Sequence, residues 1–176
     1  FDEANNIKWT NMLRAEGIKV VGGVPGLKVH SKLTLIRRDE GLEKLVDYCV
    51  VGTGNYHEGT AKLYTDYHLL TSQKRITKEV RKVFTFLESP YKQYNYKHLM
   101  VSPNSTREGI YALIDREIAH AQAGREAKFW VKINSVSDHG MIAKLYEASA
   151  AGVSIRMVVR GINCIDFSDA ALSGNI

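Results

Sequence analysis

The sequence predicts an α/β protein in which a mixed sheet is flanked by helices, built as two successive pieces. Three observations carry this. "GLKVHSKLTLI" (26–36) alternates apolar and polar residues in the manner of a strand. "VDYCVVGTG" (46–54) is a mostly apolar run that ends in glycines. Residues 127–161 then read strand, helix, strand, the order that builds a parallel pair.

The elements follow in chain order. "DEANNIKWTNMLRAE" (2–16) has a loose helical period through Ile7, Trp9, Met12 and Leu13, with Gly17 as its stop. "IKVVGG" (18–23) reads as a short strand and "VPG" (24–26) as a turn. The alternating strand comes next, then a charged, hairpin-like "RRDEGLEKL" (37–45) and the apolar strand. "RITKEVRKVFTFLES" (75–89) places Ile76, Val80, Val83, Phe84 and Leu87 on one helical face, and Pro90 breaks the pattern. Ser105 and Glu108 have capping-box spacing at the head of a helix that Gly124 closes. "AKFWVKI" (127–133), "SDHGMIAKLYEASAAG" (137–152) and "VSIRMVVRG" (153–161) complete the strand–helix–strand unit. A boundary near Met100–Pro103 separates residues 1–99 from 100–176. No internal repeat or low-complexity tract is visible.

The totals exclude little. The chain of 176 residues is 44% hydrophobic with mean hydropathy −0.23, an ordinary globular composition. No apolar run approaches membrane-spanning length and no secretory signal opens the sequence. It starts at Phe1 and ends on "LSGNI", which suggests a piece of a longer protein. A net charge of +5 leans mildly towards a polyanionic partner. Cys49 and Cys164 stand far apart in apolar contexts and read as reduced, buried thiols of a cytosolic protein, and zinc spacing is absent.

Lys28, His30 and Lys32 would share one face of the alternating strand. Alternation alone favours a solvated face. Two features shift the balance. "GTGN" (Gly52 to Asn55) follows an apolar strand, where glycines let backbone N–H groups approach an anion and Asn55 can donate a hydrogen bond. Flanking lysines also oppose protonation of His30, leaving a neutral ring able to attack phosphorus while the lysines neutralise phosphoryl oxygens.

"HSK" and "GTGN" resemble the H-x-K … G-[S/T]-x-N signature of the phospholipase D superfamily, although Arg37 stands where an Asp is expected. The longer blocks "FDEANNIKW", "PGLKVHSKL", "GTGNYHEGTAKLYTDYHLLT", "ITKEVRKVFTFLESPY", "LMVSPNSTREGIYALIDREI" and "VVRGI" resemble, in order, those of bacterial polyphosphate kinases of the first type. This resemblance covers nearly the whole chain. It implies a phospholipase D-like fold: residues 1–99 would be most of a first C-terminal domain, and 100–176 the first part of a second. It implies phosphorylation at His30 supported by Lys32 and Asn55, and ATP or phosphate binding by Gly52, Gly54, Tyr64 and Arg160. It further implies Mg²⁺ as cofactor, ATP/ADP and inorganic polyphosphate as partners, no nucleic acid, and a homo-oligomer in the full-length protein. A cytoplasmic placement follows, with peripheral inner-membrane association allowed. The family's two magnesium-associated arginines would lie upstream and a second functional histidine downstream. Phe167 stands about where the family carries a Pro. The remaining histidines (His57, His68, His98, His120 and His139) and Asp66 read as surface or packing residues. A phosphodiesterase and a non-catalytic polyanion-binding module are the alternatives, and the isolated chain is expected to have weak kinase activity or none.

Overall fold

The computed structural model describes residues 3–42 and 44–176. Asp2, expected to open the first helix, and Glu43, in the expected charged connection, lie outside the described residues. The chain divides into two compact units, 1–99 and 100–176.

The first unit opens with α1 (Glu3–Ala15), which ends at Gly17 with φ +76°. Ile7, Trp9, Met12 and Leu13 follow the helical period but stay exposed. Residues 18–23 do not form the expected strand. Gly23 (φ +105°) and Gly26 (φ +75°) instead fold the chain into a tight turn, with Leu27 N–H donating to the Val24 carbonyl at 3.1 Å. Glycine adopts such positive φ without the steric cost a side chain would bring.

β1 (Lys32–Asp39), β2 (Leu45–Gly52) and β3 (His68–Thr71) make an antiparallel sheet in that order. The alternating strand therefore begins at Lys32, and Lys28 and His30 precede it. The reason lies in its partner: Lys32 pairs with Gly52, where β2 ends, so no rung remains for earlier residues. At the other end β1 runs on through Arg37 and Arg38, expected in the connection. Arg37 lies opposite Asp47 in register and bonds it at 3.0 Å, and Arg81 also pairs with Asp47. The residue found where an Asp was expected thus serves a cross-strand ion pair. β1 ends at Asp39 and β2 begins at Leu45, with Gly41 at φ +86° between them.

Two further elements, α2 (Glu58–Leu63) and β3, are absent from the sequence expectation. α3 (Lys74–Glu88) packs on β1 and β2. Its Val80 and Val83 are buried with Cys49, and Ile76, Phe84 and Leu87 are half-buried on the expected face.

In the second unit α4 (Thr106–Gln122) precedes the parallel pair β4 (Lys128–Ile133) and β5 (Ser154–Val159), joined through α5 (His139–Ala150), and α6 (Ala170–Ser173) follows. Ile114, Ile118, Ile142, Leu145, Ala148, Val153 and Ile155 form its core. Ser105 is the N-cap residue of α4, but the capping box does not form. Its hydroxyl is engaged by the preceding turn, accepting from Val101 N–H at 2.9 Å. Gly124 closes α4 at φ +68° as expected. Cys49 is buried, which pushes its thiol up, whereas Cys164 is exposed on the loop after β5, contrary to the expected burial of both. Among the described residues no helix is long and apolar enough to cross a membrane.

Candidate active site

Lys32 holds the first rung of β1, and its ammonium folds back over the residues before it. Nζ donates to the His30 carbonyl at 2.7 Å and lies 3.1 Å from Nδ1 and 3.2 Å from Nε2 of the same ring. The ammonium can donate to whichever ring nitrogen lacks a proton, and its charge opposes a second positive charge on the imidazole. Lys32 charge is accordingly the main force holding His30 below its usual pKa, with desolvation and Lys28 adding to it. Burial, with Lys28, in turn lowers Lys32, and the Asp66 carboxylate opposes that shift. His30 itself is exposed and open to a reactant.

Beyond Gly52 the chain enters the glycine loop, and residues 66–68 pack against it. Thr53 Oγ1 donates to Asp66 at 2.9 Å and accepts from Tyr67 N–H at 3.1 Å, while Thr53 N–H donates to the Tyr67 carbonyl at 3.1 Å. The loop needs its glycines here for space. A Cβ on Gly54 would collide with the Asp66 carboxylate, and one on Gly52 with the His68 imidazole. Asn55 is exposed in the turn that follows, and no hydrogen bond ties it to His30 among the described residues. His57 caps α2, its Nδ1 accepting from Thr60 N–H at 3.2 Å. Tyr64 ends that helix as an exposed residue.

Six of the seven expected site residues thus lie in the first unit: His30, Lys32, Gly52, Gly54, Asn55 and Tyr64. Contact is closest between His30 and Lys32, with Gly52 on the same rung as Lys32. Arg160 belongs to the second unit, just past β5, where its N–H reaches the Ile133 carbonyl at 3.3 Å. Gly161 lets the backbone close on Asn134 and Ser135, so Arg160 is held at the carboxyl ends of two parallel strands. Such strand ends are where open α/β sheets gather ligands.

Asp66 and His68 have a larger part in this arrangement than the sequence suggested. A signal existed in the apolar "HLLT" that pairs with the end of β2, but a four-residue strand barely declares itself.

Comparison with known proteins agrees with the resemblance. The family model described as polyphosphate kinase C-terminal domain 1 matches residues 1–93, and that for C-terminal domain 2 matches 99–176. The polyphosphate kinase of Vibrio parahaemolyticus is 48% identical over the full chain, and that of Yersinia pestis 49%. The Escherichia coli K12 enzyme is 46% identical over the same 176 residues. The chain spans about a quarter of the length of these curated relatives. The crystal structure of the Porphyromonas gingivalis polyphosphate kinase superposes with a TM-score of 0.85 at 35% identity, covering all of this chain and 29% of that one. With both halves matched in order by the two family models, this chain belongs to the polyphosphate kinase family.

Proposed function

We propose that this chain carries the phosphoryl-accepting histidine of an enzyme that moves the terminal phosphate of ATP reversibly onto inorganic polyphosphate. The observation that carries the reading is the 3.1 Å approach of Lys32 Nζ to the His30 ring. It supplies a neutral nitrogen nucleophile and a cation beside the phosphoryl oxygens it would attack.

In the first half-reaction the His30 electron pair forms a bond to the terminal phosphorus. The bond from that phosphorus to the bridging oxygen breaks, and ADP leaves. In the second, the terminal oxygen of a polyphosphate chain attacks the phosphohistidine and restores the ring. Phosphoryl transfer asks a protein mainly for position and charge stabilisation. Lys32 would follow the equatorial oxygens, while the amides around Gly52 and Gly54 and the side chain of Asn55 would donate to phosphate. Tyr64, exposed at the end of α2, would contact the nucleotide, and Arg160 would grip its phosphates with a planar guanidinium.

Mg²⁺ belongs to the proposal through kinship. The residues gathered here do not fit it as ligands. The site is cationic, and no group of three or more His, Cys, Asp or Glu suited to a metal occurs among the described residues. A magnesium ion commonly travels on the substrate's phosphates and keeps several waters. No step above is routed through it. Homo-oligomeric assembly of the full-length protein, cytoplasmic placement and peripheral inner-membrane association also rest on kinship. That kinship favours a kinase over a phosphodiesterase or a non-catalytic polyanion module.

The test is to incubate the full-length protein with magnesium and ATP labelled at the γ-phosphate. Acid-labile, alkali-stable label should appear and vanish in His30→Ala. Label that survives His30→Ala, or an unlabelled wild type whose ATP binding is confirmed, would refute the proposal.

A further inference from the structure

The register of the sheet puts Lys32, Gly52 and His68 in one row: Lys32 pairs with Gly52, and Gly52 with His68. Cross-strand partners project from the same face of a sheet. Lys32 and His68 therefore flank a position that has no side chain. Neighbouring strands lie about 4.8 Å apart, so the two outer backbones stand roughly 10 Å from each other across Gly52. On one side of Gly52, Lys32 turns its ammonium back onto His30. From the other side the His68 ring leans inward, its Nδ1–Cε1 edge occupying the space a Cβ on Gly52 would need.

The ring is braced in that position. Tyr56 stacks on it with centroids 6.5 Å apart and planes 21° from parallel. The Tyr56 hydroxyl in turn lies 2.9 Å from Thr34 Oγ1, one residue past the next rung of β1. Both His68 and Tyr56 are exposed, so burial of apolar surface does not account for the arrangement. What it achieves is a ring nitrogen held over a glycine floor, on the same sheet row as the lysine that touches the nucleophile.

We propose that His68 is a phosphate-binding residue of this site, donating a ring N–H to a phosphoryl oxygen held beside the ring on the sheet row it shares with Lys32. The ligand class is a terminal phosphate, whether of a nucleoside triphosphate or of a polyphosphate chain. The inference rests on the phosphotransferase reading for its part in turnover, but phosphate binding can be read without it.

Two replacements separate the N–H from the ring. His68→Phe keeps a face for Tyr56 and removes the donor; His68→Asn keeps a donor at about the Nδ1 position and removes the ring. In the full-length protein, His68→Phe should lower kcat/KM for labelling of His30 by about ten- to a hundred-fold, and His68→Asn should recover most of that loss. Affinity for inorganic tripolyphosphate, measured by calorimetry on the same proteins, should follow the same order. Labelling and affinity equal to wild type in His68→Phe overturn the proposal. So does an equal loss in both variants, which would assign His68 a bracing role alone. If wild type takes no label at His30, the phosphotransferase reading has failed. Tripolyphosphate affinity weakened by His68→Phe and kept by His68→Asn would still support a phosphate site, and unchanged affinity in His68→Phe would remove it.

Discussion

Replacing Glu79 by Gln should loosen the end of the first unit, and the structure indicates by how much. Glu79 is buried on α3, and its carboxylate accepts three successive backbone N–H groups: Lys97 at 2.8 Å, His98 at 2.9 Å and Leu99 at 2.9 Å. Residues 97–99 belong to no helix or strand, so this carboxylate meets needs that secondary structure leaves open. Gln retains one acceptor oxygen and presents an NH₂ where the other stood. One N–H then faces another donor, at a cost of about 1–3 kcal/mol, and the surviving bonds lose their charge assistance, roughly 0.5–1 kcal/mol each. The sum is about 2–5 kcal/mol. With a urea dependence of about 1.5 kcal/mol per molar, the midpoint should fall by about 2 M. Exchange of the 97–99 amides should quicken in step.

The same residue has a signed pH dependence. Desolvation pushes Glu79 upward, but the three N–H bonds and the charge of His98 together outweigh it, and its pKa lies below the usual carboxylate value. A group depressed on folding adds stability that is complete above the unfolded pKa of about 4.3 and is lost as pH falls through the folded value. Wild type should therefore weaken below about pH 4.3 more steeply than Glu79→Gln. A midpoint change under 0.3 M at pH 7, or parallel acid profiles, would refute the reasoning.

Two further outcomes follow from the site. Gly54→Ala should cost about 1–3 kcal/mol, because its Cβ would displace Asp66 and break the Thr53–Asp66 bond. Gly22→Ala, whose Cβ meets nothing, should stay within about 0.5 kcal/mol in the same urea titration; equal effects would sink the steric argument. Lys32→Met should raise the His30 pKa towards its ordinary value, since Lys32 is the main force lowering it. An NMR titration of the ring reads this directly, and an unmoved midpoint would remove Lys32 as the cause.

How far the sequence could be read depended on whether the deciding interaction was local. The period of α3 and the strand–helix–strand order of β4, α5 and β5 are properties of their own residues, and they were legible. The start of β1 was not, because it is set by where β2 stops, at Gly52. Ser105 marked the beginning of α4, but its hydroxyl turned back to Val101, a choice its spacing to Glu108 does not encode. In α1 a loose period was enough to place the helix, and burial did not follow it. Asp66 and His68 were set aside as surface or packing residues because their importance comes from register across β2 and β3.

The grouping of His30 with Lys32 shows why the distinction matters for mechanism. Alternation along a strand placed the two on one face; the structure joins them by a different route. Lys32 is fixed in the ladder, half-buried, and reaches back to the carbonyl and ring of His30, which lies outside the ladder. A residue without ladder partners opens at lower free energy than one inside a sheet. On the proposed mechanism this asymmetry has a use. The ring must meet phosphorus from a nucleotide and then from a polyphosphate, whereas the cation must remain where the oxygens gather. A histidine locked into the strand beside its lysine would keep the charge pattern and lose the freedom of the ring. The sheet therefore serves the nucleophile best by beginning two residues after it.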